Sequence, residues 1–253
     1  MDNLTGRHAL ITGGNRGIGA AIAGALAAAG ATVSIVGRDE ASLKAQVDLG
    51  RARAWRVADV TDQGSFAAAA QALAQTSGPI DILVNNAGGA FSAPFAKTSA
   101  DDFRRMMDLN FMGVVHGVQA VLPGMVARRS GRIVNIASTA ALKGYAYVSA
   151  YVAAKHAVLG LTRSLALETA RSGVTVNCVC PGFTDTDLIA DSVELIIQKT
   201  GRVATEVRAE LARANPQGRL IQPDEVAAAV TWLCGPGAGS VTGVALPVAG
   251  GEI

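Results

Sequence analysis

Seven short apolar runs recur along the chain, at His8–Ile11, Thr32–Val36, Ala54–Val57, Ile80–Val84, Arg132–Ala137, Val174–Val179 and Val244–Val248. They are rich in Val, Ile and Leu, and most are continuously apolar rather than alternating, the pattern of strands buried on both faces. Between them lie stretches with helical spacing, among them Ala20–Ala29, Ser65–Gln75, Asp101–Arg128, Tyr151–Arg171 and Asp224–Leu233. A helix between two such strands is the crossover that a parallel sheet requires. The expected fold is therefore α/β, a single domain over residues 1–253 with a doubly wound, seven-stranded parallel sheet and helices on both faces. A chain of 253 residues suits one domain of this kind. Only residues 183–220 break the alternation. This insertion reads as helical in its middle and ends at Asn215-Pro216-Gln217-Gly218.

In a doubly wound sheet ligands bind beyond the carboxyl ends of the strands, and four motifs converge there. The first is Gly13-Gly14-Asn15-Arg16-Gly17-Ile18-Gly19, directly after the first strand and before the first helix. Glycines at such a turn let the backbone approach a pyrophosphate and aim helix N-terminal amides at it. The spacing of Gly13, Gly17 and Gly19 differs from the G-x-G-x-x-G of the general Rossmann fingerprint. Asn85-Asn86-Ala87-Gly88, Ser138 and Pro181-Gly182 follow three further strands. Tyr151 and Lys155 stand four residues apart, so a helix brings phenol and ammonium to one face. A tyrosine titrates near ~10, and ionising it near pH ~7 needs roughly 4 kcal/mol of differential stabilisation. A nearby cation in a dry cleft can supply much of that.

Composition narrows the remaining classes. The net charge is +2 and the basic residues are scattered, so no nucleic acid is expected as a partner. Half of the residues are apolar, yet no apolar stretch approaches the ~20 continuous residues of a membrane span. No signal-like segment precedes the first strand, which gives the expectation of a cytoplasmic protein without a membrane partner. Cys178, Cys180 and Cys234 sit in apolar surroundings and read as small hydrophobes. His8, His116 and His156 lack partners at zinc spacing, so no metal is expected.

Thr12-Gly-x-x-x-Gly17-Ile-Gly19, Asn85-Asn86-Ala87-Gly88, Asn110, Ser138, Tyr151-x-x-x-Lys155 and Pro181-Gly182 occur in the order and at the intervals of the short-chain dehydrogenase/reductase family. The chain resembles that family over nearly its whole length. The resemblance implies an oxidoreductase with a nicotinamide cofactor, in which Asn110, Ser138, Tyr151 and Lys155 are catalytic. Tyr151 is then the general acid or base, Ser138 binds the carbonyl oxygen, and Lys155 lowers the phenol pKa and holds the ribose. Asn110 distorts its helix and retains a water that relays the proton. Cofactor contacts are implied for Gly13, Asn15, Arg16, Gly17, Ile18, Gly19, Asp59, Val60, Asn86, Ala87, Gly88, Tyr151, Lys155, Pro181, Gly182 and Thr184.

Several of these residues also have plainer readings: Asp59 as a turn residue, Thr184 and Ser138 as caps, and Asn110 as an interior amide satisfied by backbone. Thr139 competes with Ser138, and Asn85 reads as a strand-to-strand link. Arg38, about 20 residues after the turn, suits a 2′-phosphate better than a bare ribose, and Arg16 is a second basic position, so NADP(H) is favoured. Asp39 keeps NAD(H) as the alternative. Branch-level likeness is to bacterial 3-oxoacyl-thioester and polyketide ketoreductases. It implies a small carbonyl or alcohol substrate, on CoA or an acyl-carrier thioester, and a homotetramer built on the helices at 101–128 and 151–171.

Tyr145, Tyr147 and Phe91 are candidate walls of the substrate cleft. Lys199, Arg202, Arg208 and Arg213 are candidates for meeting an acyl carrier or a CoA phosphate. The amphipathic stretch Val193–Ile197 suggests that residues 183–220 form a mobile lid. The runner-up is a dehydrogenase or reductase of another small alcohol or ketone. A non-catalytic NADP-sensing protein is the alternative from a different class.

Overall fold

The structure, a computed structural model, describes residues 3–253, except for the side chains of Leu195 and Lys199. Seven strands form one sheet: β1 (His8–Thr12), β2 (Thr32–Gly37), β3 (Ala54–Val57), β4 (Ile82–Asn85), β5 (Gly131–Ile136), β6 (Val174–Pro181) and β7 (Ala245–Val248). Their spatial order is β3-β2-β1-β4-β5-β6-β7, and every neighbouring pair is parallel. The order turns back on itself between β1 and β4, which opens a crevice at their carboxyl ends.

Side chains within the strands divide between two cores. Leu10, Leu83, Ile133, Val176 and Cys178 face one layer, built by α3 (Gln63–Ser77), α5 (Gly113–Ala127) and α6 (Ser149–Thr169). Ala9, Ile11, Ile35, Val84 and Val134 face the other, built by α1 (Gly17–Ala28), α2 (Glu40–Asp48) and α9 (Pro223–Cys234). The period-two split along each strand produces both layers. Burying each large aliphatic side chain fully stabilises the fold by about 1.5–3 kcal/mol before entropy is counted. The central strands are apolar on both faces because neither face meets water.

The long helical pattern at 101–128 is not one regular helix. It comprises α4 (Ala100–Met107), a π-helical segment at Asp108–Met112, and α5. A stretch within Ala100–Ala127, with mean hydropathy 1.3, is apolar enough by composition to cross a membrane, although Asp and Arg residues interrupt the segment. Here its inner face packs onto α3 and α6, the arrangement of a core helix in a folded domain.

The insertion carries α7 (Asp187–Thr200) and α8 (Ala204–Arg213). Ile189, Val193, Val207 and Leu220 give it a small core of its own. Its ends are stitched together, because Asp185 N donates to Ile221 O and Ile221 N donates to Phe183 O, at 2.8 and 2.9 Å. The segment is thus a closed excursion from the sheet edge.

Asn85 does link strands. Its Nδ2 donates to Asn135 Oδ1 at 2.9 Å, and Asn135 Nδ2 donates to Thr162 Oγ1 at 2.9 Å, all within the buried interior. Removing the middle member strands the Asn85 amide donor, and an unsatisfied buried donor costs about 1–3 kcal/mol. Asn135→Ala is therefore expected to lower the unfolding free energy by at least that amount, read as a shift in the chemical denaturation midpoint. An unchanged midpoint would show that Asn85 finds another acceptor.

Candidate active site

The glycine turn is held open by its neighbours. Asn86 Nδ2 donates to Thr12 O at 3.0 Å and to Gly13 O at 3.1 Å, while Thr12 Oγ1 accepts from the amides of Asn86 and Ala87 at 2.9 Å each. A Cβ on Gly19 would lie 2.1 Å from Gly13 O, and one on Gly13, where φ is +63°, would lie 3.1 Å from Ala87 Cα. Neither backbone atom can yield, so both positions need glycine. Helix α1 starts here with no side-chain cap and no acid in its first turn. Its leading amides at Gly17, Ile18 and Gly19 therefore face the sheet edge without a side-chain acceptor, a fit for the phosphates of a dinucleotide. Asn15 Nδ2 donates to Ser42 Oγ at 2.9 Å and ties the turn to α2.

Arg16 and Arg38 are both exposed beside this turn. Asp39 is otherwise engaged: its carboxylate caps α2, accepting from Ser42 N at 3.2 Å. Asp59 accepts from Thr61 N and Oγ1 at 2.9 and 2.8 Å. These bonds hold its carboxyl below the usual range, with a smaller pull from Arg38. The turn reading of Asp59 is thus realised. Val60 is buried, lies against Gly113, and accepts from the His116 ring at 2.9 Å through its carbonyl.

Ser138 leaves β5 with its Oγ accepting from Ala140 N at 3.1 Å, and it also hydrogen-bonds the Tyr151 phenol. The cap and the phenol contact coexist: the cap fixes the rotamer that makes the contact. Lys155 is buried and donates to Ile136 O at 3.0 Å, with its Nζ 5.6 Å from the Tyr151 ring centroid. Asn110 occupies the π-helical segment, and its Nδ2 donates to Met106 O and Gly89 O at 3.1 and 3.0 Å. Its Oδ1 accepts from Gly89 N at 3.2 Å. The helix is distorted where expected, and the amide is satisfied by backbone. Gly88 separates the two groups: a Cβ there would meet Asn110 Oδ1 at 2.7 Å and Lys155 Nζ at 3.5 Å.

The Tyr151 phenol is raised from its ordinary value, because burial outweighs the hydrogen bond from Ser138. Burial also penalises the Lys155 ammonium, which brings its pKa down to about 8. The thiols of Cys178 and Cys180 stand nearby, pushed up by burial to about 11 and about 12 and hence protonated.

Pro181 ends β6, and Gly182 follows it under the C-terminal tail: a Cβ on Gly182 would lie 3.0 Å from Glu252 Oε2. Thr184 is buried, and its hydroxyl donates to Gly182 O at 3.0 Å, so it does not cap α7; Thr186 holds the N-cap position. Tyr145 packs edge-on against Phe183 at 6.1 Å, which joins the loop after β5 to the start of the insertion. Tyr147 is 65% exposed, and Phe91 lies under the Arg105 guanidinium at 5.0 Å. Arg208 pairs with Asp185 and Arg202 with Glu210, both at 2.6 Å, while Arg213 is exposed. The side chains of Lys199 and of Leu195, within the amphipathic stretch, lie outside the described residues. A groove of about 660 Å³ between α1 and α9 includes Arg16 and Arg51 but neither Ser138 nor Tyr151. It lies apart from the Ser138–Tyr151 pair and says nothing about chemistry there.

Sequence reasoning missed Thr186 and Glu252, and it read Thr12 only as the start of the glycine motif, without its hydroxyl's bonds to the amides of Asn86 and Ala87. Thr186 stands so close to the turn that a Cβ on Gly17 would be 3.3 Å from its methyl. For Glu252 the available signal was a lone acid in the apolar tail Ala245–Ile253.

These features match known proteins. The family model described as short chain dehydrogenase matches residues 7–195. A 3-oxoacyl-acyl-carrier-protein reductase from Vibrio cholerae is 38% identical, covering 98% of each chain. Cis-4-hydroxycyclohexanecarboxylate dehydrogenase from Sinomonas cyclohexanicum is 40% identical, covering 97% of this chain and 96% of its own. Among solved structures, an actinorhodin polyketide ketoreductase with NADPH superposes with a TM-score of 0.94 at 37% identity, covering 100% of this chain and 99% of that one. The chain therefore belongs to the short-chain dehydrogenase family and is an oxidoreductase.

The burial of Lys155 makes a measurable claim. In the cofactor-free protein its ammonium should titrate near pH 8 rather than near 10.5. NMR of lysine-labelled protein, with Lys155→Met to assign the resonance, reads this directly. Its charged form is disfavoured in the folded state, so between about 8 and 10.5 the unfolded chain binds more protons and this group's contribution to stability rises with pH. A titration near the ordinary lysine value would mean that water reaches the site.

Proposed function

We propose that the protein interconverts a carbonyl and a secondary alcohol with NADP(H), acting on a 3-oxoacyl or 3-hydroxyacyl thioester of CoA or an acyl carrier. The observation that carries this reading is the Ser138–Tyr151 hydrogen bond, backed by the buried Lys155 and opening beside an uncapped, glycine-lined helix start. A bound nicotinamide dinucleotide would supply or accept the hydride. The rest is done by the chain. In reduction Ser138 donates to the carbonyl oxygen and orients it, and Tyr151 gives up its phenolic proton as hydride reaches carbon. A phenol raised above its ordinary value is protonated at neutral pH. Lys155 then stabilises the phenolate left behind. Asn110, across Gly88 from Lys155, is assigned to the path that restores the proton.

For the cofactor, we assign Gly13, Asn15, Gly17, Ile18 and Gly19 to the phosphates, Asp59 and Val60 to the adenine, and Asn86, Ala87 and Gly88 to the floor. Pro181, Gly182 and Thr184 are assigned to the nicotinamide, and Tyr151 with Lys155 to its ribose. Arg38 and Arg16 are assigned to a 2′-phosphate. The engagement of Asp39 as the α2 cap supports this, because it removes the nearest acid that could hold a bare ribose. Residues 183–220 are read as the substrate lid. The thioester assignment draws on the Vibrio cholerae relative, and a different cyclic or small alcohol, as for the Sinomonas relative, is the second reading. Exposed Val126 on α5 and Leu167 on α6 support self-association through those helices, consistent with a homotetramer.

Tyr151→Phe should reduce turnover by ~10²–10⁴-fold, the usual range for a general acid, while NADPH binding is retained. Steady-state oxidation of NADPH with acetoacetyl-CoA, and cofactor titration of the same variant, measure the two. Near-normal turnover would mean that the proton comes from elsewhere. No carbonyl-dependent turnover in the parent, across thioesters and ketones, would favour a non-catalytic NADP sensor.

Cofactor choice is tested separately. The parent should prefer NADPH in kcat/KM, and Arg38→Asp should reverse that preference by repelling the 2′-phosphate. A parent that prefers NADH would overturn the NADP(H) assignment.

A further inference from the structure

Glu252, next to the last residue, places a carboxylate in the interior with its side chain only 3% exposed. Taking a carboxylate out of water is costly unless its oxygens are well paired, and this one is paired on one side only. Oε1 accepts from the Tyr145 hydroxyl and lies 3.1 Å from Lys143 Nζ. Oε2 is buried with no partner. Because the Tyr145 hydroxyl donates to Glu252, its oxygen is left to accept from Thr139 Oγ1, 2.6 Å away. Thr139 follows Ser138 directly. The Tyr145 ring in turn meets Phe183 edge-on, and the Lys143 ammonium lies 5.1 Å from that ring's centroid. Gly182 leaves room for the carboxylate, and the tail itself is seated by Gly250, where a Cβ would strike Asn215 Oδ1.

The connected set is Thr139, Lys143 and Tyr145 from the loop after β5, Phe183 from the start of the insertion, and Glu252 from the tail. A carboxylate contributing stability alone would be better placed in water, where surface ion pairs form at little cost. Buried here, it fixes one orientation of Tyr145. We propose that Glu252 is a positioning residue that, through Tyr145, sets the wall of the substrate cleft against Phe183 and so determines which carbonyl substrates fit. This rests on the ketoreductase reading for its kinetic test, but not for its structural one.

The experiment compares Glu252→Ala, Glu252→Gln, Tyr145→Phe and the Glu252→Ala/Tyr145→Phe double variant in the full-length protein. KM and kcat are measured on acetoacetyl-CoA, longer 3-oxoacyl-CoAs and simple ketones, alongside NADPH affinity. Hydrogen exchange is followed over residues 139–147 without ligands. Glu252→Ala should raise KM for the preferred thioester about 10-fold or more, the loss expected for one charged hydrogen bond. Its kcat and NADPH affinity should stay within about 2-fold of the parent. Chain-length preference should broaden, and exchange over 139–147 should speed up. Glu252→Gln keeps an oxygen that can accept from Tyr145 and should recover part of the KM loss. Tyr145→Phe should reproduce the effect with the carboxylate still in place, and the double variant should add nothing further, since the two act as a unit.

An unchanged KM and unchanged exchange in both single variants would overturn the proposal. So would equal losses in kcat and NADPH affinity, which mark a structural role. A parent inactive on every carbonyl would refute the ketoreductase reading instead, and exchange over 139–147 in Glu252→Ala and Tyr145→Phe would then decide the Glu252 proposal alone.

Discussion

A parallel sheet buried on both faces cannot be closed by hairpins, and most of this molecule follows from that restriction. Each strand must be followed by a crossover, so all seven carboxyl ends lie at one edge. Backbone polarity left over at that edge has no ladder partner. The uncapped start of α1 and the small residues at Gly13, Gly88 and Gly182 therefore gather in one place. Thr12 and Asn86 close the gap between β1 and β4 with four hydrogen bonds to backbone groups. Without them the switch point would have no floor.

The same edge explains the π-helical segment. A helix as apolar as Ala100–Ala127 packs well when regular, yet Asn110 turns its amide back to Met106 and across to Gly89. An extra residue in the turn is the local cost, and single-turn π segments of this kind are frequently found at functional sites. What it provides is an amide locked beside Gly88 and thus beside Lys155. The local distortion and the proximity are one feature.

Much of this was legible in the sequence, for identifiable reasons. The central strands showed because both faces are buried, and α1, α3 and α9 showed because an apolar face recurs at helical spacing. Helix α2 was not singled out: only Leu43 and Gln46 of its residues are buried, and its start is set by the Asp39 cap rather than by a stripe. The insertion's helices were expected only as a vague middle, because the cluster around Val193 and Val207 joins residues that no single periodic window contains. Glu252 was invisible for the same reason at longer range. Its partners, Lys143 and Tyr145, lie more than a hundred residues upstream, and no local pattern marks a lone acid as buried. Tyr151 and Lys155, by contrast, lie one helical turn apart, where spacing alone predicts neighbours.

The raised phenol bears on how the proton is handled. Spacing suggested that Lys155 favours the Tyr151 phenolate, while in the cofactor-free protein burial raises the phenol and lowers the lysine. A resting phenol raised by burial stays protonated at neutral pH but is a weaker acid than one matched to that pH, so its proton transfer depends on what stabilises the phenolate as it forms. In the proposed reduction the ammonium would matter once the proton has left. At 5.6 Å from the ring centroid, and with an effective dielectric of about 20, a full negative charge there gains on the order of 3 kcal/mol from it. That is most of the roughly 4 kcal/mol separating a phenol from neutrality. The stabilisation falls on the charge that develops during transfer rather than on the resting state, and interactions of that kind accelerate a step instead of tightening its ground state. Burial that penalises both groups at rest is thus compatible with a pair that acts together once charge forms between them.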